Sequence, residues 1–142
     1  MSQIQTSTLR IKESLKIVQS CLTALVCSPQ AGIEAVFLIS DQGLLVLSAY
    51  QGPRNKDDED QLSAMTASIV AQISSAMKRM GRKRAKQLTI ETPVAYIIIS
   101  PISSDLIILV ISNKTVQYQG GAGLGLVYGL IKATIERIQG IL

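Results

Sequence analysis

The stretch DEDQLSAMTASIVAQISSAMKRM, residues 58–80, decides how this chain folds. Asp57, Asp58, Glu59 and Asp60 stand at its start. A basic cluster stands at its end: Lys78, Arg79, Arg82, Lys83, Arg84 and Lys86. Anions at the first turn and cations at the last are what a helix dipole favours. Asp57 or Asp58 is the expected N-cap, and Gly81 the expected stop. Between the charged ends, 17 consecutive residues from Gln61 to Met77 carry no charge. Leu62, Met65, Ile69, Ile73, Met77 and Met80 recur at spacings of three and four, which predicts one apolar stripe facing the core. The other side is small: Ala64, Ala67, Ser68, Ala71, Ser74 and Ser75. Such a face suits either a poorly decorated surface helix or a helix buried twice, once by its own domain and once by a partner. An uncharged outer face favours the second reading. Interrupting Gln, Ser and Thr argue against a membrane span.

Working outward, residues 9–26 read as a helix with Ile11, Leu15, Val18, Leu22 and Leu25 inward, stopped near Pro29. Ala35–Ile39 and Leu44–Leu47 are apolar runs around the turn residues Asp41 and Gly43, a β-hairpin with a tight loop. Residues 87–92 alternate, with Leu88, Ile90 and Thr92 on one side and Gln87, Thr89 and Glu91 on the other, bounded by Pro93. That predicts a half-exposed edge strand. Val94–Ser100 and Leu106–Ser112 are apolar on both faces and belong inside the sheet. A glycine-rich lead-in, residues 119–125, enters a last helix with Val127, Leu130, Ile131, Thr134, Ile135 and Ile138 inward; Gly125 and Gly129 would let it pack closely. The order α-β-β-α-β-β-β-α predicts an α+β sandwich over residues 1–142. A five-stranded antiparallel sheet would carry the first and last helices on one face and the central helix on the other.

Composition narrows the function. At 142 residues the chain suits one domain, and 47% apolar content argues against disorder. Six of the 14 Lys and Arg lie between Lys78 and Lys86, leaving 8 basic against 10 acidic residues elsewhere, so the net +4 is one local patch. Cys21 and Cys27 match no metal or redox spacing and read as reduced, buried thiols. With a polar N-terminus and no signal-peptide pattern, this predicts a cytoplasmic location.

Catalysis finds little support. The chain has no His, the commonest general base and metal ligand. The four consecutive acids do not converge, and no Ser or Cys sits in a nucleophile elbow. Gly120, Gly121, Gly123 and Gly125 fail the dinucleotide spacing, since the required fifth position falls on Leu126 or Tyr128, and no P-loop Lys follows. We expect a non-enzyme with no cofactor and no metal. The basic cluster is either a solvated helix end or a docking surface for an acidic protein or an anionic membrane. Nucleic acid is disfavoured, because no aromatic platform lies near it.

Taken together, EAVFLISDQGLLV (residues 34–46) with its Asp-x-Gly turn, the small-residue central helix, the polar strand at 87–92 and Gly125 entering the final helix resemble the roadblock/dynein light-chain family. That family includes MglB-like regulators of Ras-type GTPases. The resemblance implies a homodimer in which central helices pack together and third strands pair edge to edge. It also implies a composite surface for a small GTPase. The interface would then use Ala64, Ala67, Ser68, Ala71, Ser74, Ser75, Thr89 and Glu91. Arg54, Arg79, Arg82 or Arg84 could serve as an arginine finger, although the resemblance implies scaffolding. The alternative is an adaptor using Lys78–Lys86 to dock on an anionic membrane or acidic protein.

Overall fold

The computed structural model describes residues 3–28, 31–114 and 123–142, with side chains from Leu9 onward in the first helix. Among these residues the chain runs α1 (Gln3–Val26), β1 (Ile33–Ser40), β2 (Leu45–Tyr50), α2 (Lys56–Arg79), β3 (Leu88–Glu91), β4 (Ala95–Pro101), β5 (Leu106–Asn113) and α3 (Leu124–Ile141). Helix α1 begins six residues before the expected Leu9, at Gln3.

The five strands form one antiparallel sheet in the order β2-β1-β5-β4-β3. The long apolar runs occupy its centre because only there are both strand faces covered. In β5, Ile108 and Val110 point to one side and Ile107 and Leu109 to the other, all buried. The alternating strand β3 is an edge, as expected. The connection through α2 carries the chain from one sheet edge, β2, to the other, β3.

Helices α1 and α3 pack on each other and on one face of the sheet. That layer is large and dry: Val18, Leu22, Ile98, Ile108, Ile131 and Ile138 are completely or almost completely buried. Each such side chain contributes about 1.5–3 kcal/mol on burial. Lys132, Glu136 and Arg137 point outward. Ile11 is exposed instead of buried, as are Leu9 and Ile17 of the same helix. A Cβ on Gly125 or Gly129 would meet nothing within 4 Å, so close packing does not require either glycine. Cys21 is buried but Cys27 is exposed, at the end of α1 where the chain turns away.

Helix α2 lies on the opposite face, over β1 and β2. Its N-cap is Asn55, not Asp57 or Asp58: the Asn55 Oδ1 accepts the Asp58 backbone N–H at 3.2 Å, satisfying a first-turn donor. The three acids that follow occupy the first turn, where the dipole favours them. At the other end Gly81, at φ +72°, donates to the Lys78 carbonyl while Arg82 donates to Met77, a Schellman ending. Residues 115–122, which hold most of the glycine-rich lead-in, lie outside the described residues.

Candidate partner-binding surfaces

The rotation of α2 differs from expectation, and it creates the main candidate surface. Its inner face consists of Glu59, Ser63, Thr66, Ala67, Val70 and Ser74, all buried. Thus Ala67 and Ser74, expected on an outer seam, lie beneath the helix against its own sheet. Ala64, Ser68, Ala71 and Ser75 do face outward. The apolar stripe expected in the core is displaced to one flank: Met65 is 53% exposed and Met80 67%, with Leu62, Ile69, Ile73 and Met77 half-buried. At about 100° per residue this flank lies roughly a quarter-turn from the inner face.

Two physical reasons hold the small face inward. Ser63 Oγ donates to the Glu59 carbonyl at 2.8 Å and Thr66 Oγ1 to Leu62 at 2.7 Å, so these hydroxyls satisfy themselves within the helix and can be buried. The β1–β2 turn also approaches closely: a Cβ on Gly43 would lie 3.1 Å from the Ala64 Cα and 3.7 Å from the Ala67 Cβ. Only small residues fit on the flank that meets this hairpin. The large apolar residues fall on the other flank of the helix.

Over β4 and β3 the α2 side of the sheet is incompletely covered. Ile97 and Ile111 are half-buried, and Ile90, which pairs with Ile97 in register and shares its face, is 40% exposed. On this side of the sheet Leu62, Leu88, Ile97 and Ile111 pack at the margin of the core, while Met65 and Ile90 keep large exposed apolar surfaces and Ile69 and Ile73 are half-buried. Exposed apolar side chains on both the helix flank and the sheet edge make this side a candidate interaction surface. Thr89 and Glu91 sit on the opposite sheet face: the Thr89 and Tyr128 hydroxyls hydrogen-bond at 2.9 Å, and Lys114 Nζ donates to Glu91 at 2.7 Å while lying over the Tyr96 ring. The Lys114 hydrogen bond, followed by its charge, holds Glu91 below the usual carboxylate range.

At the start of α2, Arg54, Glu59 and Tyr50 form a cluster that sequence reasoning missed. Arg54 donates to both carboxylate oxygens of Glu59, at 2.9 and 3.1 Å, and its guanidinium lies 5.5 Å from the Tyr50 ring centroid. Tyr50 in turn meets Phe37 edge-on at 5.2 Å. The Arg54 hydrogen bond lowers the Glu59 pKa against the opposing effect of burial. Burial, followed by the Glu59 charge, pushes the Tyr50 phenol well above its ordinary value. A signal existed in the sequence, an Arg five residues before an acid at a helix start, but nothing there marked the acid as buried.

Lys78, Arg79, Arg82, Lys83, Arg84 and Lys86 are all exposed, and they belong to more than one element. Lys78 and Arg79 belong to the last turn of α2. Lys83, Arg84 and Lys86 line a groove against α3 on the other side of the sheet. No helix among the described residues is long and apolar enough to cross a membrane.

Comparison with known proteins agrees with this architecture. The Roadblock/LC7 domain family matches residues 28–112. MglB of Myxococcus xanthus superposes with a TM-score of 0.75 at 23% identity, over 88% of this chain and 94% of that one. The gliding protein MglB of Thermus thermophilus gives 0.76 at 16% identity, over 90% of each chain. A Roadblock/LC7 domain from Streptomyces avermitilis gives 0.70 at 16% identity, over 86% of this chain and 94% of that one. At these identities the similarity shows a shared fold. No curated protein matches the chain by sequence.

Proposed function

Because the chain belongs to the Roadblock/LC7 domain family, we propose that it is a non-enzymatic homodimer that binds a Ras-like small GTPase in the cytoplasm and regulates its nucleotide cycle. The observation that carries this reading is the partly exposed apolar flank of α2, with Met65 53% exposed, together with the partly exposed Ile90 on the edge strand β3. A second copy related by a two-fold axis would lay its own Met65–Ile69–Ile73 flank against this one, and the edges of the two β3 strands would meet. A two-fold contact is self-complementary, and it would cover both the apolar flank and the unpaired edge. The weak inner face of α2 supports the same reading. With Ser63, Thr66, Ala67 and Ser74 inward, its own sheet gives the helix little apolar burial, and a partner would supply the rest.

The paired α2 helices would present the outward residues Ala64, Ser68, Ala71 and Ser75 as one smooth, uncharged platform. A GTPase docked there would have its switch regions held in one arrangement, which shifts its equilibrium by differential binding and needs no catalytic group from this chain. Arg54 supports holding over catalysis, since Glu59 occupies its guanidinium through two hydrogen bonds.

The test has two parts. Light scattering of the purified chain should report a dimer. A Ras-like GTPase from the same genome should be retained on the immobilised dimer in one nucleotide state and show a changed rate of GTP hydrolysis or exchange. A dimer that leaves both rates unchanged rejects regulation and leaves a scaffold.

A further inference from the structure

We propose that the groove between residues 83–87 and α3 is a second binding site, for an acidic amphipathic segment of a partner protein. The groove is an open one that offers about 910 Å³ of space. It lies on the α1/α3 side of the sheet, opposite to α2, so it and the apolar flank of α2 can be occupied together.

The chemistry of its walls selects the occupant. Lys83, Arg84 and Lys86 line one side and Lys132 the other, against one carboxylate, Glu136. All four cations are exposed, and none has a carboxylate within ion-pair distance: among the described residues the ion pairs are Arg54–Glu59 and Lys114–Glu91. Four unneutralised cations facing one space favour an anionic ligand and speed its arrival. Ser100 Oγ donates to the Lys86 carbonyl at 3.0 Å, which ties the basic segment to β4 and fixes that wall.

The accessible base is largely apolar, and it distinguishes a peptide from other anions. Half-buried Pro101, Tyr128 and Ile135 line it, in front of Ile131 and Ile102, which are sealed in the core. A planar bilayer would touch the rims and leave this floor dry. A strand or helix turn can place apolar side chains inside while its acidic residues reach the rims. Nucleic acid is disfavoured because the aromatic residue here, Tyr128, has its hydroxyl engaged by Thr89 and offers no stacking series.

The experiment is selection from a random peptide library on the immobilised chain, followed by fluorescence anisotropy with the enriched peptides. The expected peptides combine Asp or Glu with Leu, Ile or Phe. Their affinity should fall by about tenfold or more in Lys132→Glu and in the double variant Lys83→Glu, Arg84→Glu. It should be retained in Lys78→Glu, Arg79→Glu, whose charges lie outside the groove. Equal loss in all three variants would reduce the site to net charge and overturn the proposal. So would enrichment of purely acidic or purely apolar peptides, or no enrichment. Anionic vesicles that outcompete the peptides through Lys83, Arg84 and Lys132 would reassign the surface to membrane. These readouts need no GTPase, so failure here leaves the dimer reading standing, and the reverse also holds.

Discussion

Arg54 and Glu59 are joined by two hydrogen bonds, yet they sit in different media: the Arg54 side chain is 58% exposed and that of Glu59 only 2%. The pair closes the first turn of α2 against the Tyr50–Phe37 ring contact, at the point where the chain leaves β2. Its two ends are therefore not equivalent. Removing the arginine strands a buried carboxylate, whereas neutralising the acid leaves an arginine that water can solvate.

Arg54→Ala is accordingly expected to cost about 1–3 kcal/mol at neutral pH, and Glu59→Gln clearly less. Urea denaturation of both variants measures the difference. The pH dependence has a definite sign. The folded-state pKa of Glu59 lies below its unfolded value, so the pair adds stability above the ordinary carboxylate range and loses it as pH falls through the folded value. The gap between the wild-type chain and Arg54→Ala should therefore narrow on acidification. A gap that stays constant down to strongly acidic pH would mean that the ion pair is not its source.

Met65→Asp is expected to separate the dimer while preserving the fold, since Met65 is 53% exposed in a single chain. Burying an unpaired carboxylate in the proposed contact would cost several kcal/mol, roughly 3–5 by analogy with broken buried pairs. Ala71→Asp, on the outer face of the same helix, should leave the dimer intact. Light scattering with circular dichroism as the folding control checks both. The opposite ranking would move the interface to the small-residue face.

Gly43→Ala should destabilise more than Gly81→Ala, although both glycines have positive φ. Each incurs the left-handed backbone cost of about 1–2 kcal/mol. At Gly43 the new Cβ also meets the Ala64 backbone at 3.1 Å, whereas at Gly81 it meets open space. The extra loss at position 43, read from thermal unfolding, reports how tightly α2 seats on the hairpin.

Ser74→Ala should leave stability unchanged or raise it by up to about 1 kcal/mol. Ser74 Oγ is buried without a hydrogen-bond partner among the described residues, and Ala is the better helix former. Ser63→Ala should be closer to neutral, because that hydroxyl already donates to Glu59. A clear loss at Ser74 would show that its hydroxyl is hydrogen-bonded in the folded protein.

Much of this molecule was legible in one dimension. Continuous apolar runs in β4 and β5 required a covered sheet interior, alternation in β3 required an edge, and the charge polarity of α2 fixed its span to within two residues. Those features depend on interactions near in sequence or on the simple count of apolar faces, and periodicity reports both. The cap at Asn55 was missed because three acids beside it satisfy the same dipole preference; only the backbone angle at Asn55 separates cap from first turn.

What the sequence alone determined is the order of layers and the presence of two distinct non-charged faces on the central helix. Which face meets the sheet was decided by tertiary structure, because a helical wheel gives the angle between stripes but no origin for it. Here the close approach at Gly43 and the self-satisfied hydroxyls of Ser63 and Thr66 set that origin, which turned Ala67 and Ser74 inward and left Met65 exposed and Ile69 half-buried on the flank. The division of the basic cluster between a helix end and a groove was likewise invisible along the chain, since it arises from α3 folding back beside residues 83–87.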